Sequence, residues 1–171
     1  MQPSPVLVLG GQRSGKSRYA EQLVAESGLE RIYLATATPG DAEMARRIAA
    51  HRERRNGEWT TIEEPLDLPA ALARVARPGA AVLVDCLTLW VNNLFGAGRD
   101  VEAEAARLVA ALGALAGPAV LVSNEVGSGI IPTNELARTY ADALGTLNQR
   151  VAEACPRVVL VVAGLPLVLK S

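Results

Sequence analysis

"GGQRSGKS", residues 10–17, follows the apolar run "PVLVLG" (5–10) and precedes a helical pattern that runs to residue 27. It satisfies G-x-x-x-x-G-K-[ST] in full, and a strand before it with a helix after it is the setting in which that motif has meaning. Glycines let backbone N–H groups curl around a phosphate, and the helix N-terminus adds the positive end of its dipole. On this reading Lys16 reaches the β- and γ-phosphates of a nucleoside triphosphate, and the Ser17 hydroxyl ligates Mg2+.

Working outward, the same alternation repeats. Further strands are expected at "RIYLATA" (31–37), "WTTIE" (59–63), "AAVLVD" (80–85), "PAVLVSN" (118–124) and "RVVLVVAG" (157–164). Most are continuously hydrophobic, as parallel strands buried on both faces are. Helices are expected over 16–27, closed by Gly28; 41–55, opened by Asp41; 67–76, opened by Asp67; 100–116, opened by Asp100; and 134–154. The fold class is therefore α/β: a three-layer, doubly wound, mostly parallel sheet forming a P-loop NTPase (RecA-like) domain. The whole chain, 1–171, reads as one such domain, without repeat or linker.

Composition excludes several classes. Seventeen basic against eighteen acidic residues give a formal charge of −1, too little basic excess for a broad nucleic-acid surface. The run "VVLVVAGLPLVL" (158–169) is too short to span a bilayer and is interrupted by Pro166, so it reads as buried strand. No signal peptide is evident. Cys86 and Cys155 sit in apolar surroundings without metal-ligand spacing, which fits buried thiols in a reducing cytoplasm.

Ligands of doubly wound sheets bind beyond the carboxyl ends of the strands. Asp85 ends the buried run "AAVLVD", where an acid needs a partner. With a P-loop present that partner is the Mg2+ hydration shell, the alternative being an N-cap for a helix starting at Leu87. Glu63 or Glu64 could meet a ribose or base edge, or face solvent. Ser123, Asn124 and Glu125 end another buried strand and lead into a loop shaped by glycines and Pro132, which suits substrate contact or a plain connection. His51, the one histidine, follows Met44 and Ile48 at helical spacing and stands among Arg46, Arg47, Arg52, Arg54 and Arg55. The pattern alone favours a core-edge imidazole beside solvated arginines.

In their order, "VLGGQRSGKSRYAE", "YLATA", "RIAAHRERR" followed by "W", "VDCLTLWVNNL", "VSNEVGSGIIP" and "GTLNQRVA" give a closer identification. The chain resembles the bifunctional adenosylcobinamide kinase/adenosylcobinamide-phosphate guanylyltransferases of cobalamin assembly, from about residue 6 onward. The resemblance implies phosphorylation of the aminopropanol hydroxyl of adenosylcobinamide by a nucleoside triphosphate. It then implies attack of a histidine on the α-phosphorus of GTP and passage of GMP to the new phosphate. The guanylylated histidine falls on His51, with Lys16 the second catalytic residue. Nucleotide contacts fall on Gly10, Gly11, Gln12, Arg13, Ser14, Gly15, Lys16 and Ser17, on Ala35, Thr36 and Ala37, on Arg52, Glu53, Arg54 and Arg55, and on Glu63 and Asp85; Ser17 and Asp85 are the metal ligands. Mg2+ is the implied cofactor, GTP and ATP are substrates, adenosylcobinamide and its phosphate are the other partners, and the family is oligomeric. The rival readings are a P-loop kinase of another small alcohol and a nucleotide-gated binding module.

Overall fold

The computed structural model describes residues 4–38 and 57–171. The expected helix over 41–55, and with it His51, Arg52, Glu53, Arg54 and Arg55, lies outside the described residues. Strand β1 (Pro5–Gly10) runs into helix α1 (Lys16–Ala25), followed by β2 (Glu30–Ala35), β3 (Trp59–Glu63), α2 (Leu68–Val75), β4 (Ala80–Asp85) and α3 (Leu87–Gly96). The chain continues through α4 (Val101–Gly113), β5 (Ala119–Asn124), α5 (Glu135–Ala154), β6 (Arg157–Val162) and β7 (Leu165–Lys170).

These strands form one seven-stranded sheet in the order β3-β2-β4-β5-β1-β6-β7. Every pairing is parallel except that of β6 with β7. Successive residues of a strand point to opposite faces, and both faces are covered, so both sets are apolar. Leu7, Leu34, Val84 and Leu121 pack under α2, α3, α4 and α5, with Trp90 fully buried among them. Val6, Val8, Leu83 and Val122 pack on the other face under Ala20, Leu23 and Val24 of α1. That makes three layers, as expected. Asp100 and Asn134 cap α4 and α5 by accepting from Ala103 and Ala137 N–H groups, the former also from Glu102.

Two elements depart from the sequence expectation. Helix α3 is expected from sequence only as a possible segment after Asp85; its buried stripe of Leu87, Trp90, Val91 and Leu94 is short and only Cys86 separates it from β4. The run 158–169 is not one buried strand. The chain turns at Ala163 and Gly164, both at positive φ (52° and 81°), and returns as β7, every residue of which is exposed. Pro166 is tolerated there because β7 is an edge strand.

Candidate active site

The loop between β1 and α1 is built around glycine. A Cβ on Gly10 would lie 2.4 Å from Ser14 Oγ and 2.7 Å from the Val161 carbonyl oxygen, so no larger residue fits. Gly15, at φ 95°, is the N-cap of α1 in the left-handed region. Being glycine it offers no side-chain acceptor, and the first turn of α1 carries no acid. The amides of that turn are thus left to an anion. Ser14 Oγ is buried and has no hydrogen-bond partner among the described residues. A buried hydroxyl without a partner is costly, and a bound phosphate oxygen would satisfy it.

Lys16 Nζ donates to the Gly11 carbonyl at 3.2 Å, lying across the loop. Burial holds the Lys16 pKa below the usual lysine value, opposed by the proximity of Cys86 and Asp85. Burial and the neighbouring Asp85 push the Cys86 thiol up to about 12, so at neutral pH it is uncharged and the carboxylate opposite Lys16 is that of Asp85. Asp85 Oδ2 accepts from the Tyr33 hydroxyl at 2.6 Å. The cap of α3 is Cys86, without a side-chain cap bond, so Asp85 does not serve as the helix cap. Among the described residues no group of three or more His, Cys, Asp or Glu side chains is arranged to hold a metal. The Ser17 hydroxyl and Asp85 carboxylate are hard oxygen donors, too few for an all-protein cage, a set that suits Mg2+ completed by phosphate and water.

The ends of β2 and β3 separate the remaining candidates. Ala35 pairs with Glu63 in the parallel register, so the two positions stand side by side at the rim, and Glu63 is exposed. Glu64 is instead structural, its carboxylate accepting from the amides of Leu66 (3.0 Å) and Asp67 (2.8 Å) ahead of α2. Thr36 is fully buried. Its hydroxyl donates to the Cys86 carbonyl (2.8 Å) and accepts from the Cys86 amide (2.9 Å), pinning the end of β2 to the residue after Asp85. Ala37 follows, partly exposed.

Sequence reasoning gave no role to the polar groups that fasten these ends. Asn93 Nδ2 donates to the carbonyls of Thr36 (2.7 Å) and Pro65 (3.0 Å), and Trp90 Nε1 to that of Leu66 (2.8 Å). Thr88 Oγ1 accepts from the Asn124 amide at 2.8 Å, while the Tyr140 hydroxyl donates to the Thr88 carbonyl at 2.7 Å. Asn148 donates to the Asn124 carbonyl (3.0 Å) and accepts from the Ser123 hydroxyl (2.7 Å). The signal available in sequence was a polar residue on the apolar face of a helix, as at Asn148, one turn after Leu144 and beside Leu147. Beyond β5, the Glu125 amide donates to the Gly10 carbonyl at 3.1 Å, tying this loop to the phosphate loop. The Glu125 carboxylate turns back on the loop, accepting from the amides of Gly127 and Ser128; hydrogen bonding to Ser128 holds its pKa below the usual value.

Residues 6–169 match the family described as cobinamide kinase / cobinamide phosphate guanyltransferase. The chain is 54% identical to the bifunctional adenosylcobalamin biosynthesis protein CobP of Pseudomonas aeruginosa, over 96% of each chain. It is 39% identical to the bifunctional protein CobU of Escherichia coli, over 96% of this chain and 99% of that one. Among solved structures it resembles a KaiC-like protein of Pyrococcus horikoshii (TM-score 0.56, 14% identity, 92% of this chain and 72% of that one). It also resembles the RadB recombinase (TM-score 0.54, 19% identity, 92% and 74%). These likenesses show the RecA-like fold and nothing narrower.

Proposed function

The chain belongs to the cobinamide kinase / cobinamide phosphate guanyltransferase family, a bifunctional enzyme of adenosylcobalamin biosynthesis, and we propose that its residues divide the two transfers as follows. In the kinase step the aminopropanol hydroxyl oxygen bonds to the γ-phosphorus of ATP or GTP, the bond from that phosphorus to its bridging oxygen breaks, and the nucleoside diphosphate leaves. The hydroxyl proton passes to solvent. The loop amides and Lys16 follow the charge on the moving phosphoryl group. Mg2+, when bound, neutralises the phosphates; Ser17 and Asp85 would hold it.

In the second step an imidazole nitrogen of His51 bonds to the α-phosphorus of GTP and pyrophosphate leaves, giving a phosphoramidate. A phosphate oxygen of adenosylcobinamide phosphate then displaces the imidazole from that phosphorus, yielding adenosylcobinamide-GDP. Neutral imidazole is a competent nucleophile near neutral pH, and Arg52, Arg54 and Arg55 would stabilise the anionic phosphorus centre. Gly10 to Ser17, Ala35 to Ala37, Glu53 and Glu63 complete the nucleotide contacts in this reading. The observation that carries it is the glycine-built phosphate loop, with Lys16 near enough to Asp85 to feel its charge. Family membership supports the two-step reaction over a monofunctional kinase of another alcohol or a nucleotide-gated switch.

The deciding experiment incubates wild type and His51→Ala with α-labelled GTP, without corrinoid. Wild type takes up an acid-labile, base-stable label on the peptide containing His51, while His51→Ala takes up none yet still phosphorylates adenosylcobinamide. A labelled His51→Ala protein would overturn the assignment.

We further infer a single-domain subunit that works as a homo-oligomer in the cytoplasm. The apolar edge strand β7 supports assembly, and the two buried cysteines without a disulfide support a reducing compartment. No described helix is long and apolar enough to cross a membrane.

A further inference from the structure

Strand β5 lies between β1, which delivers the phosphate loop, and β4, which delivers Asp85. Its last residue, Asn124, is paired in register with Gly10. Both backbone groups of Asn124 are fastened, its amide to Thr88 and its carbonyl to Asn148. Its side-chain carboxamide oxygen is buried and has no hydrogen-bond partner among the described residues. A held residue with a buried acceptor lacking a donor, placed where the phosphoryl group must be handed over, is arranged to receive a donor from outside the chain.

The residues that follow supply a second, independent observation. Ile130 is 97% exposed and Ile131 76%, with Val126 also exposed on the same β5–α5 segment and Leu136 in the first turn of α5. Such isoleucines are poorly placed in water, and this segment is anchored to the phosphate loop by the Glu125–Gly10 hydrogen bond. The acceptor of the family's kinase reaction matches both features. It is a broad corrin macrocycle with methyl-studded apolar faces, and it carries one short arm ending in the hydroxyl to be phosphorylated.

We propose that the β5–α5 segment is the corrinoid site: the Asn124 carboxamide accepts the aminopropanol hydroxyl as a hydrogen-bond donor and aims its oxygen at the γ-phosphorus, while Ile130 and Ile131 lie against an apolar corrin face. The proposal rests on the kinase activity of the family and adds where the corrinoid sits. Arg138, which donates to the Pro132 and Thr133 carbonyls at 3.0 and 2.7 Å, holds the far end of the segment to α5.

The test measures phosphorylation of adenosylcobinamide by ATP, with ATP affinity and thermal midpoint recorded for each variant. Ile130→Ser/Ile131→Ser should raise KM for adenosylcobinamide at least roughly tenfold, since two isoleucine side chains lose their apolar contact, with ATP affinity unchanged. Asn124→Ala should lower kcat roughly tenfold or more with ATP affinity and thermal midpoint retained, because the fastening bonds use only its backbone. A wild-type KM in the double isoleucine variant, or a wild-type kcat in Asn124→Ala, overturns the proposal. Failure of the wild-type protein to phosphorylate adenosylcobinamide at all would instead overturn the kinase reading beneath it.

Discussion

The backbone amide of Gly164 donates to the carbonyl of Ser14 at 2.8 Å, so the turn of the C-terminal hairpin props the phosphate loop from behind. The fit is close: a Cβ on Gly15 would come within 3.2 Å of Gly164 Cα. Gly164 itself sits at φ 81°, a conformation that L residues adopt at a cost of about 1–2 kcal/mol. Gly164→Ala should therefore lower the thermal midpoint by roughly 2–8 °C. It should also weaken ATP binding severalfold, because the turn and the loop move together. Calorimetric melting and ATP titration check both effects; an unchanged affinity in a destabilised protein would show that the turn does not set the loop.

Lys16 lies near enough to Asp85 to feel its charge, but their substitutions should read out differently. Lys16→Ala removes the mobile cation and should cut adenosylcobinamide phosphorylation roughly a thousandfold or more. Near-normal turnover would sink the phosphate-loop assignment.

Asp85→Asn conserves volume and keeps an oxygen opposite the Tyr33 hydroxyl, so the fold should persist. Its Mg2+ requirement should rise by roughly tenfold or more in both half-reactions. A Mg2+ titration superimposable on wild type would remove Asp85 from the metal site.

The sheet could be read from sequence because its strands are buried on both faces, and continuous runs such as "AAVLVD" have few other uses. The phosphate loop was legible for a different reason, since a Cβ at Gly10 would clash and Gly15 takes a left-handed φ that favours glycine. Helix α3 was harder to read because its stripe of Leu87, Trp90, Val91 and Leu94 is short and only Cys86 separates it from the apolar run of β4. The hairpin escaped because its turn is Ala163–Gly164, with no polar turn residue to break the apolar run. Thr36 illustrates a third limit. Its hydroxyl is engaged with Cys86, just past the end of β4 and distant in sequence, and only the folded register brings those residues together.

Leu165 and Leu167 alternate along β7 and so share one face of an edge strand, each more than half exposed. Exposed apolar edges invite pairing with another chain. If β7 joins copies of this chain, Leu167→Asp should shift the mass measured by light scattering toward the monomer, while a mass equal to wild type would place the oligomer contact elsewhere.

Alkali should find the buried thiols and Tyr140 together. Burial pushes Cys86 and Cys155 up to about 12 from 9.0, and Tyr140 up to about 12 from 10.0; the neighbouring Asp85 adds to the shift at Cys86 and proximity to Cys86 to that at Tyr140. Each group binds its proton more tightly folded than unfolded, so the folded state gains nothing from them in acid and loses nothing up to about pH 9. Above that the unfolded chain sheds protons that the folded chain retains, so these groups increasingly destabilise the fold as pH rises toward 12. Urea midpoints should thus hold level from pH 7 to about 9 and then decline, with the decline reduced in Cys86→Ala/Cys155→Ala once each midpoint is set against its own value at pH 7. At pH 8 a thiol reagent should label neither cysteine in the native protein and both in urea. Rapid native labelling of Cys86 would mean that the thiol beside Lys16 and Asp85 is reachable and ionised, and the alkaline decline should then begin lower.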